Sequence, residues 1–245
     1  MNQTRTGQES EPEDASPTLH PQFRTTPAPF RRFADARSGA FGSTRITGYR
    51  ALTELRPRHD VNVTLDDIVK NIRQRPGPVR LVAVDGSGGS GKSTFAAQLS
   101  AATDGAPIAH TDDFASADNP INWWPRLLQQ VIEPLADGRP AIYQRYDWPT
   151  ESMAEWHTVD PAPIIIIEGV SAARREWSQH LSYVIWIETS RELRLQRAVE
   201  RDGEDALDDW EYWMAEEDGH YERDPTRERS DAIIDGASGR AIEVR

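Results

Sequence analysis

The sequence has 245 residues, a net charge of −12 and no cysteine, and its length suits one α/β domain with an additional segment. The acidic balance disfavours a nucleic-acid partner, because binding a phosphate backbone requires clustered Lys and Arg, and the lack of cysteine excludes disulfides, thiolate metal sites and cysteine nucleophiles. The sequence shows no signal peptide and no long apolar segment, which predicts a cytoplasmic protein that has no membrane partner.

The first part of the chain predicts little packed structure. Residues 1–48 are poor in aliphatic side chains and rich in Pro, Thr, Ser, Gly and Arg, a composition typical of a disordered extension. Residues 49–78 are interpreted as a linker that carries one short helix. Thr64 to Asp67 have the form of a helix capping box, with Asp where Glu is usual, and aliphatic residues follow at Ile68, Val69 and Ile72. We expect this helix to pack before the first strand.

From residue 79 to residue 245, segments typical of strands alternate with helical patterns. The strand candidates are Arg80–Val84, Pro107–Thr111, Pro163–Ile167, Tyr183–Ile187 and Ala232–Ile234. The helical patterns are Lys92–Ala101, Trp124–Ala136, Arg191–Arg201 and about Ala206–Tyr221. This alternation predicts an α/β domain in which a five-stranded parallel sheet is covered by helices on both faces.

A glycine-rich loop follows the first predicted strand and reads GSGGSGKS from Gly86 to Ser93. Its glycines allow consecutive backbone N–H groups to turn inward around an anion, and the N-terminus of the next helix adds further donors. A flexible Gly/Ser linker is disfavoured, because a strand and a helix bracket the loop. We therefore predict the three-layer fold of P-loop NTPases. The residues expected to contact nucleotide phosphates are Gly86, Ser87, Gly88, Gly89, Ser90, Gly91, Lys92, Ser93 and Thr94.

Carboxylates follow two of the other predicted strands. Glu168 comes directly after the isoleucine run, at the usual place for a residue that binds Mg²⁺ together with Ser93; a solvent-facing charge at the strand end is the alternative. Asp112 and Asp113 end the second strand, and phosphoryl transfer to a hydroxyl needs one carboxylate to accept a proton. A paired acidic turn without chemistry is the alternative there.

Aromatic and polar residues are interleaved in YQRYDWP, from Tyr143 to Pro149. Aromatic faces beside hydrogen-bonding groups suit a flat base or a sugar. They also suit an ordinary core, and the sequence leaves both interpretations open.

Five segments together resemble the uridine kinase-like branch of the P-loop kinases, in an actinobacterial-type subgroup. They are VDGSGGSGKST, DDF, RYDW, IIIIEGV and RLQRAVERD, in the order and approximate spacing of that branch over about residues 79–236. The resemblance implies a phosphotransferase that uses ATP and Mg²⁺ and moves the γ-phosphate to a hydroxyl of a small acceptor, with a nucleoside as the expected acceptor.

The resemblance also implies residue roles. Asp112 matches the proposed base for a sugar 5′-hydroxyl, with Asp113 beside it at the substrate. Tyr146 and Asp147 match a pair in the nucleoside pocket, and Glu168 matches the acidic strand end. Arg197 and Arg201 match arginines that approach the phosphates from the helix that bears the lid, Arg201 in a catalytic role.

The lid departs from the pattern of the branch. Where uridine kinases continue with further arginines, this chain reads GEDALDDWEYWMAEEDG. Arg223, Arg227 or Arg229 are alternative sources of phosphate contacts. The departure leaves open a kinase for a nucleotide or another small metabolite, and a nucleotide-binding regulatory ATPase.

Overall fold

A computed structural model describes residues 63–116 and 119–245. The predicted disordered extension, residues 1–48, and most of the first half of the predicted linker lie outside the described residues. The domain boundaries placed at residues 48 and 78 therefore stay predictions. None of the helices in the described ranges combines the length and the apolar character that crossing a bilayer requires.

The centre of the fold is a six-stranded sheet. Its strands are β1 (Arg80–Asp85), β2 (Ile108–His110), β5 (Ile164–Glu168), β6 (Leu181–Glu188), β7 (Ala232–Asp235) and β8 (Ala241–Val244), while β3 (Ala141–Asp147) and β4 (Ser152–Val159) form a separate hairpin. The order of the strands in the sheet is β2-β5-β1-β6-β7-β8. The five predicted strands are present and parallel to one another. The sixth strand, β8, was not predicted. It turns back after β7 and pairs with it in the antiparallel sense.

Helices cover both faces of this sheet. They are α1 (Leu65–Gln74), α2 (Lys92–Ala102), α3 (Trp124–Leu127), α4 (Glu133–Ala136), α5 (Arg191–Asp202), α6 (Leu207–Arg223) and α7 (Thr226–Arg229). A π-helical segment, Leu128–Ile132, joins α3 to α4, so the predicted helix at 124–136 is one continuous element. Pro134 lies just beyond this segment, and its missing N–H removes one regular helical hydrogen bond.

The isoleucine run of β5 shows why the sheet is buried on both sides. Ile164 and Ile166 pack with α1 and α2, whereas Ile165 and Ile167 pack with α3 and α4 on the opposite face. Successive side chains of a strand point to opposite faces, so an uninterrupted apolar run requires two covering layers. The three-layer prediction is confirmed.

The β3–β4 hairpin was not predicted as strands. Burial alternates at the start of β3, but the sequence hides this alternation because the exposed position, Ile142 (55% exposed), is as apolar as its buried neighbours Ala141 and Tyr143. The YQRYDWP segment therefore runs along β3 and into its turn. Tyr143 packs in the core beneath the hairpin, as the core interpretation expected.

Helix α1 begins with the predicted capping box. Thr64 Oγ1 accepts from the Asp67 N–H at 3.3 Å, and Asp67 Oδ2 accepts from the Thr64 N–H at 3.0 Å. The predicted helix is confirmed, and its buried face of Ile68, Val69 and Ile72 packs in the same core cluster as α2.

Removing the cap tests this account of α1. We expect Thr64→Ala to lower the free energy of unfolding by about 1 kcal/mol, because a helix N–H loses its acceptor. Thr64→Ser retains the hydroxyl and should remain close to the parent. Chemical denaturation of the three proteins measures the difference, and an equal loss in both variants would show that the hydroxyl does not act as a cap.

Candidate active site

The glycine-rich loop connects β1 to α2 at the carboxyl edge of the sheet, where ligands of such sheets bind. Gly91 caps α2 with φ 98°, a conformation that favours glycine. Gly86 has φ 144°, and a side chain there would place its Cβ only 2.7 Å from the carbonyl oxygen of Ile187. Both positions therefore need glycine if the loop is to keep this shape.

The Lys92 side chain is buried and folds back over the loop, where its Nζ donates to the Ser87 carbonyl at 2.9 Å. The Ser93 hydroxyl on the next residue donates to Glu168 Oε1 at 3.1 Å. The structure thus brings together the two residues predicted to bind Mg²⁺, Ser93 and Glu168.

Glu168 is also paired with His110, a residue that the sequence analysis did not single out. His110 Nδ1 lies 2.7 Å from Glu168 Oε2. Burial opposes the charge on both groups, but their mutual hydrogen bond and attraction prevail, so the pKa of Glu168 is lowered and that of His110 is raised. The pair orients the carboxylate and keeps it ionised.

The adjacent carboxylates Asp112 and Asp113 face different parts of the structure. Asp112 lines a small cavity of about 90 Å³ together with Lys92, Ser93 and Glu168. Asp113 instead accepts from the Tyr143 hydroxyl at 2.9 Å, beneath the hairpin. Asp112 is exposed to solvent in this cavity. The surrounding protein nevertheless desolvates its carboxylate in part, which raises its pKa, and the negative charge of Glu168 adds to the rise.

Arg197 and Arg201 lie on α5, beside the loop. Arg197 donates to the carbonyls of Gly89 and Gly236, at 3.2 and 3.1 Å, and so joins the loop to the segment after β7. Arg201 makes two hydrogen bonds to Asp202, both 2.9 Å long, and its guanidinium lies 5.1 Å from the Trp210 ring centre. Both arginines line an open cleft of about 630 Å³.

This open cleft extends from the loop and the start of α2 to residues 234–239. It is called the nucleotide cleft, because the loop predicted to bind phosphates forms part of its wall. The 90 Å³ cavity that Asp112 lines is called the transfer cavity. Gly89, Lys92, Ser93 and Arg201 line both spaces. A phosphate chain bound to the loop would therefore lead from the nucleotide cleft toward Asp112.

Tyr146 and Asp147 have different surroundings in the structure. Tyr146 lines a third cleft, of about 520 Å³, with Phe114, Trp123 and Arg126. The Asp147 carboxylate accepts from Arg145 at 2.9 Å and from the Thr150 hydroxyl at 2.7 Å. It thereby closes the hairpin turn and does not line any of the three clefts. Its predicted contact with substrate stays a prediction.

The alternative lid arginines have other partners. Arg227 pairs with Glu188 at 2.9 Å, and Arg229 pairs with Asp224 and donates to the Ala173 carbonyl. Arg223 lines a separate surface cleft near His220. None of these three guanidiniums lines the transfer cavity.

Two charged residues that sequence reasoning missed contact the loop region. Glu217 of α6 is 1% exposed, and its Oε2 accepts from the Gly88 N–H at 3.0 Å. Burial raises its pKa to about 7, although Lys92, the Gly88 N–H and Arg194 act in the opposite sense. Arg194 of α5 is also buried, with Nη1 3.7 Å from Glu217 Oε2. The available signal was that Glu217 continues the buried helix face of Trp210 and Met214.

A second carboxylate stabilises the base of the loop. Asp85, fully buried at the end of β1, accepts from the N–H groups of Gly86 and Ala173 and from the Tyr221 hydroxyl. Burial raises its pKa, and these hydrogen bonds limit the rise. Because Tyr221 lies on α6, this helix is attached to the loop region at both Glu217 and Tyr221.

Comparison with known proteins agrees with this arrangement. The sequence model of the phosphoribulokinase/uridine kinase family matches residues 108–216. The match begins after the glycine-rich loop, so the two are separate observations. It confirms the predicted resemblance to the uridine kinase-like branch of the P-loop kinases, and the chain is a phosphotransferase of the kinase type. No curated protein sequence matches the chain.

The solved structures that are similar to the chain include two that are described as kinases. A protein described as a possible uridine kinase from Bacillus stearothermophilus is 23% identical, with a TM-score of 0.54 over 70% of this chain and 97% of the other. A candidate fructose transport system kinase from Silicibacter sp. TM1040 is 22% identical, with a TM-score of 0.47 over 60% and 88% of the two chains. At this level of identity, the first similarity shows a shared fold.

The buried Glu217 predicts a pH-dependent stability. Its pKa is about 7 in the folded chain against an ordinary value of 4.5, so between these values the folded chain holds a proton that the unfolded chain has released. The free energy of unfolding should therefore fall as pH rises through this window. Relative to Glu217→Gln, we expect the parent to lose on the order of 3 kcal/mol between pH 4 and pH 8.

Chemical denaturation at several pH values measures this difference. Glu216→Gln is the matched control, because Glu216 is the exposed neighbour on the same helix. The difference between the parent and Glu216→Gln should stay constant with pH. A constant difference for Glu217→Gln as well would contradict the account of its burial.

Proposed function

We propose that this kinase transfers the γ-phosphate of ATP to a hydroxyl group of a small acceptor, and that the acceptor is a nucleoside. The observation that carries the proposal is the position of Asp112, whose side chain shares the transfer cavity with Lys92, Ser93 and Glu168. A carboxylate there can accept the proton of a hydroxyl that attacks a phosphate held by the loop.

Ser93, on the first turn of α2, and Glu168, at the end of β5, fit an Mg²⁺ ion that accompanies the nucleotide. Within the described ranges, no group of three or more His, Cys, Asp or Glu residues could hold a metal. Ser93 and Glu168, however, offer two neighbouring oxygen donors, and Mg²⁺ is commonly held by one or two protein oxygens together with phosphates and water. When bound, the ion would offset negative charge on the phosphates. His110 would keep the Glu168 carboxylate ionised and oriented toward Ser93.

The remaining charged groups stabilise the phosphate chain. The Lys92 ammonium and the inward N–H groups of the loop would offset the charge that develops on the transferred phosphoryl group. Arg197 holds the loop from α5. Arg201 lines both spaces, and it can turn from Asp202 toward a phosphate, because side chains on a cleft surface change rotamer readily.

Asp112 would orient the acceptor and take its proton. Desolvation and the neighbouring Glu168 raise its pKa, which makes the ionised carboxylate a stronger base. Asp113 is held by Tyr143 and would support the wall of the site.

The nucleoside assignment is supported by the cleft beside the hairpin. Phe114, Trp123 and Tyr146 present aromatic surfaces there, and Asn122 adds a polar group. Such a lining suits a flat base. The segment from Gly203 to Gly219 contains no Lys or Arg, which disfavours an acceptor that already carries a phosphate.

Acceptor-dependent release of ADP tests the function. A panel of nucleosides, nucleoside monophosphates and sugars is offered with MgATP, and we expect nucleosides to raise ADP release most. A larger response to a monophosphate or a sugar would replace the acceptor class and retain the chemistry. ATP turnover that no acceptor alters would favour a regulatory ATPase.

The two adjacent aspartates provide a sharper test of mechanism. Asp112→Asn should retain ATP binding but lower turnover by on the order of a hundredfold or more, because the base is lost. Asp113→Asn removes the same charge from the neighbouring residue and should lower turnover much less. Steady-state kinetics and nucleotide binding compare the pair. If Asp113→Asn proves the more damaging, Asp112 is not the base.

A further inference from the structure

The Glu217 carboxylate lies at the end of the loop that faces the acceptor. Gly88, whose N–H donates to Glu217, lines the transfer cavity with Asp112 but does not line the nucleotide cleft. A phosphate that reaches Gly88 is therefore the one farthest from the nucleobase of the nucleotide, and in ATP this is the γ-phosphate. The carboxylate lies where this phosphate would be bound.

Several groups around Glu217 identify an anion position. The Gly88 N–H points at its Oε2, and the charge of Lys92 acts on it from α2. The Arg194 guanidinium lies on its other side, and Arg194 Nη1 is buried without a hydrogen-bond partner in the described part of the chain. A buried guanidinium N–H without an acceptor is costly, and a phosphate oxygen at the Glu217 Oε2 position would approach both donors.

The fit between α6 and the loop is close. A Cβ atom on Gly88 would lie 2.9 Å from Glu217 Oε1 and 3.1 Å from the Trp210 ring. The Gly88 N–H already donates to Glu217 Oε2, so a γ-phosphate that takes this donor must displace the carboxylate. The negative charges of Asp112 and Glu217 also disfavour a further anion there.

We propose that Glu217 holds the γ-phosphate position of the loop in the free protein and is displaced from Gly88 and Arg194 when ATP binds. ADP has no γ-phosphate and leaves Glu217 in place. Glu217 is then a specificity-determining residue that lowers the affinity for ATP relative to ADP. The proposal rests on the proposed use of ATP, and it adds a residue for which the resemblance to uridine kinases gave no role.

Displacement of Glu217 by the γ-phosphate would also affect the side of the transfer cavity where the acceptor binds. Trp213, on the same helix as Glu217, contacts Trp148 with ring centres 5.6 Å apart, and Trp148 Nε1 donates to the Asp112 carbonyl. When the γ-phosphate displaces Glu217, α6 moves or repacks, and the wall beside Asp112 changes with it. Arrival of the γ-phosphate would thereby prepare the cavity for the acceptor.

Equilibrium binding at pH 8, where Glu217 is ionised, tests the exchange. The affinities of a non-hydrolysable ATP analogue and of ADP, both with Mg²⁺, are measured by calorimetry for the parent, Glu217→Gln and Glu216→Gln. Gln can still accept from Gly88 but carries no charge, so we expect Glu217→Gln to bind the ATP analogue on the order of tenfold more tightly or better. Its affinity for ADP should change less than about twofold, and Glu216→Gln should match the parent.

An unchanged or weaker affinity of Glu217→Gln for the ATP analogue would overturn the proposal, and so would an equal gain for both nucleotides. The parent chain gives an independent measurement that requires no variant. Hydrogen exchange across Leu207–Arg223 should change when the ATP analogue binds but not when ADP binds, and the same response to both would contradict the exchange. If the parent binds neither nucleotide, the proposed function fails, and this inference fails with it.

Discussion

The inward-facing N–H groups of the glycine-rich loop impose the constraint on which the site depends. Buried N–H groups need acceptors, and this chain supplies carboxylates for them. Asp85 accepts from Gly86 at the base of the loop, and Glu217 accepts from Gly88 at its outer end. The loop therefore keeps its shape without a phosphate, at the cost of two buried carboxylates whose pKa values are raised.

The order of the strands decides which side chains meet around this loop. Strand β5 lies between β2 and β1, and Glu168 is in register with both His110 and Val84. Glu168 can therefore contact His110 on one side and Ser93, just after the loop, on the other. Because the strands are parallel, their carboxyl ends meet at one edge, and the segment after β2 brings Asp112 to the same place. The order of the strands, more than closeness in the sequence, brings the residues of the site together.

Features that depend on local pattern could be predicted from the sequence. The five parallel strands, the loop, the helix after it and the capping box of α1 each have a periodicity or a fixed spacing. The separation of Asp112 from Asp113 was also foreseeable, since neighbouring residues at a strand end face different ways. The contact between Ser93 and Glu168 followed from placing both residues at one edge of a parallel sheet, whereas the pairing of Glu168 with His110 was not foreseen.

Features that depend on tertiary contacts could not be predicted in this way. The hairpin strand could not be recognised because its exposed position is occupied by the apolar Ile142, next to the buried Tyr143, and only the packing of the hairpin on the core decides which of the two is buried. The roles of Arg227 and Arg229 were equally open, because Glu188 and the Ala173 carbonyl, which they contact, are distant in the sequence, and because the sequence does not show that Asp224 faces Arg229. In the sequence all four charges appear free to contact a ligand.

Helix α6 shows how an apparent deficiency in the sequence acquires a physical explanation in the structure. The absence of Lys and Arg from Gly203 to Gly219 indicated a lid without phosphate contacts, yet α6 reaches the loop through the Glu217 carboxylate and brings that carboxylate against Arg194 of α5. A lid that carries positive charge would attract the nucleotide directly. A lid that carries Glu217 competes with the nucleotide for the Gly88 N–H and the Arg194 guanidinium. The positive charge expected on the lid is thus supplied by α5, and α6 controls access to it.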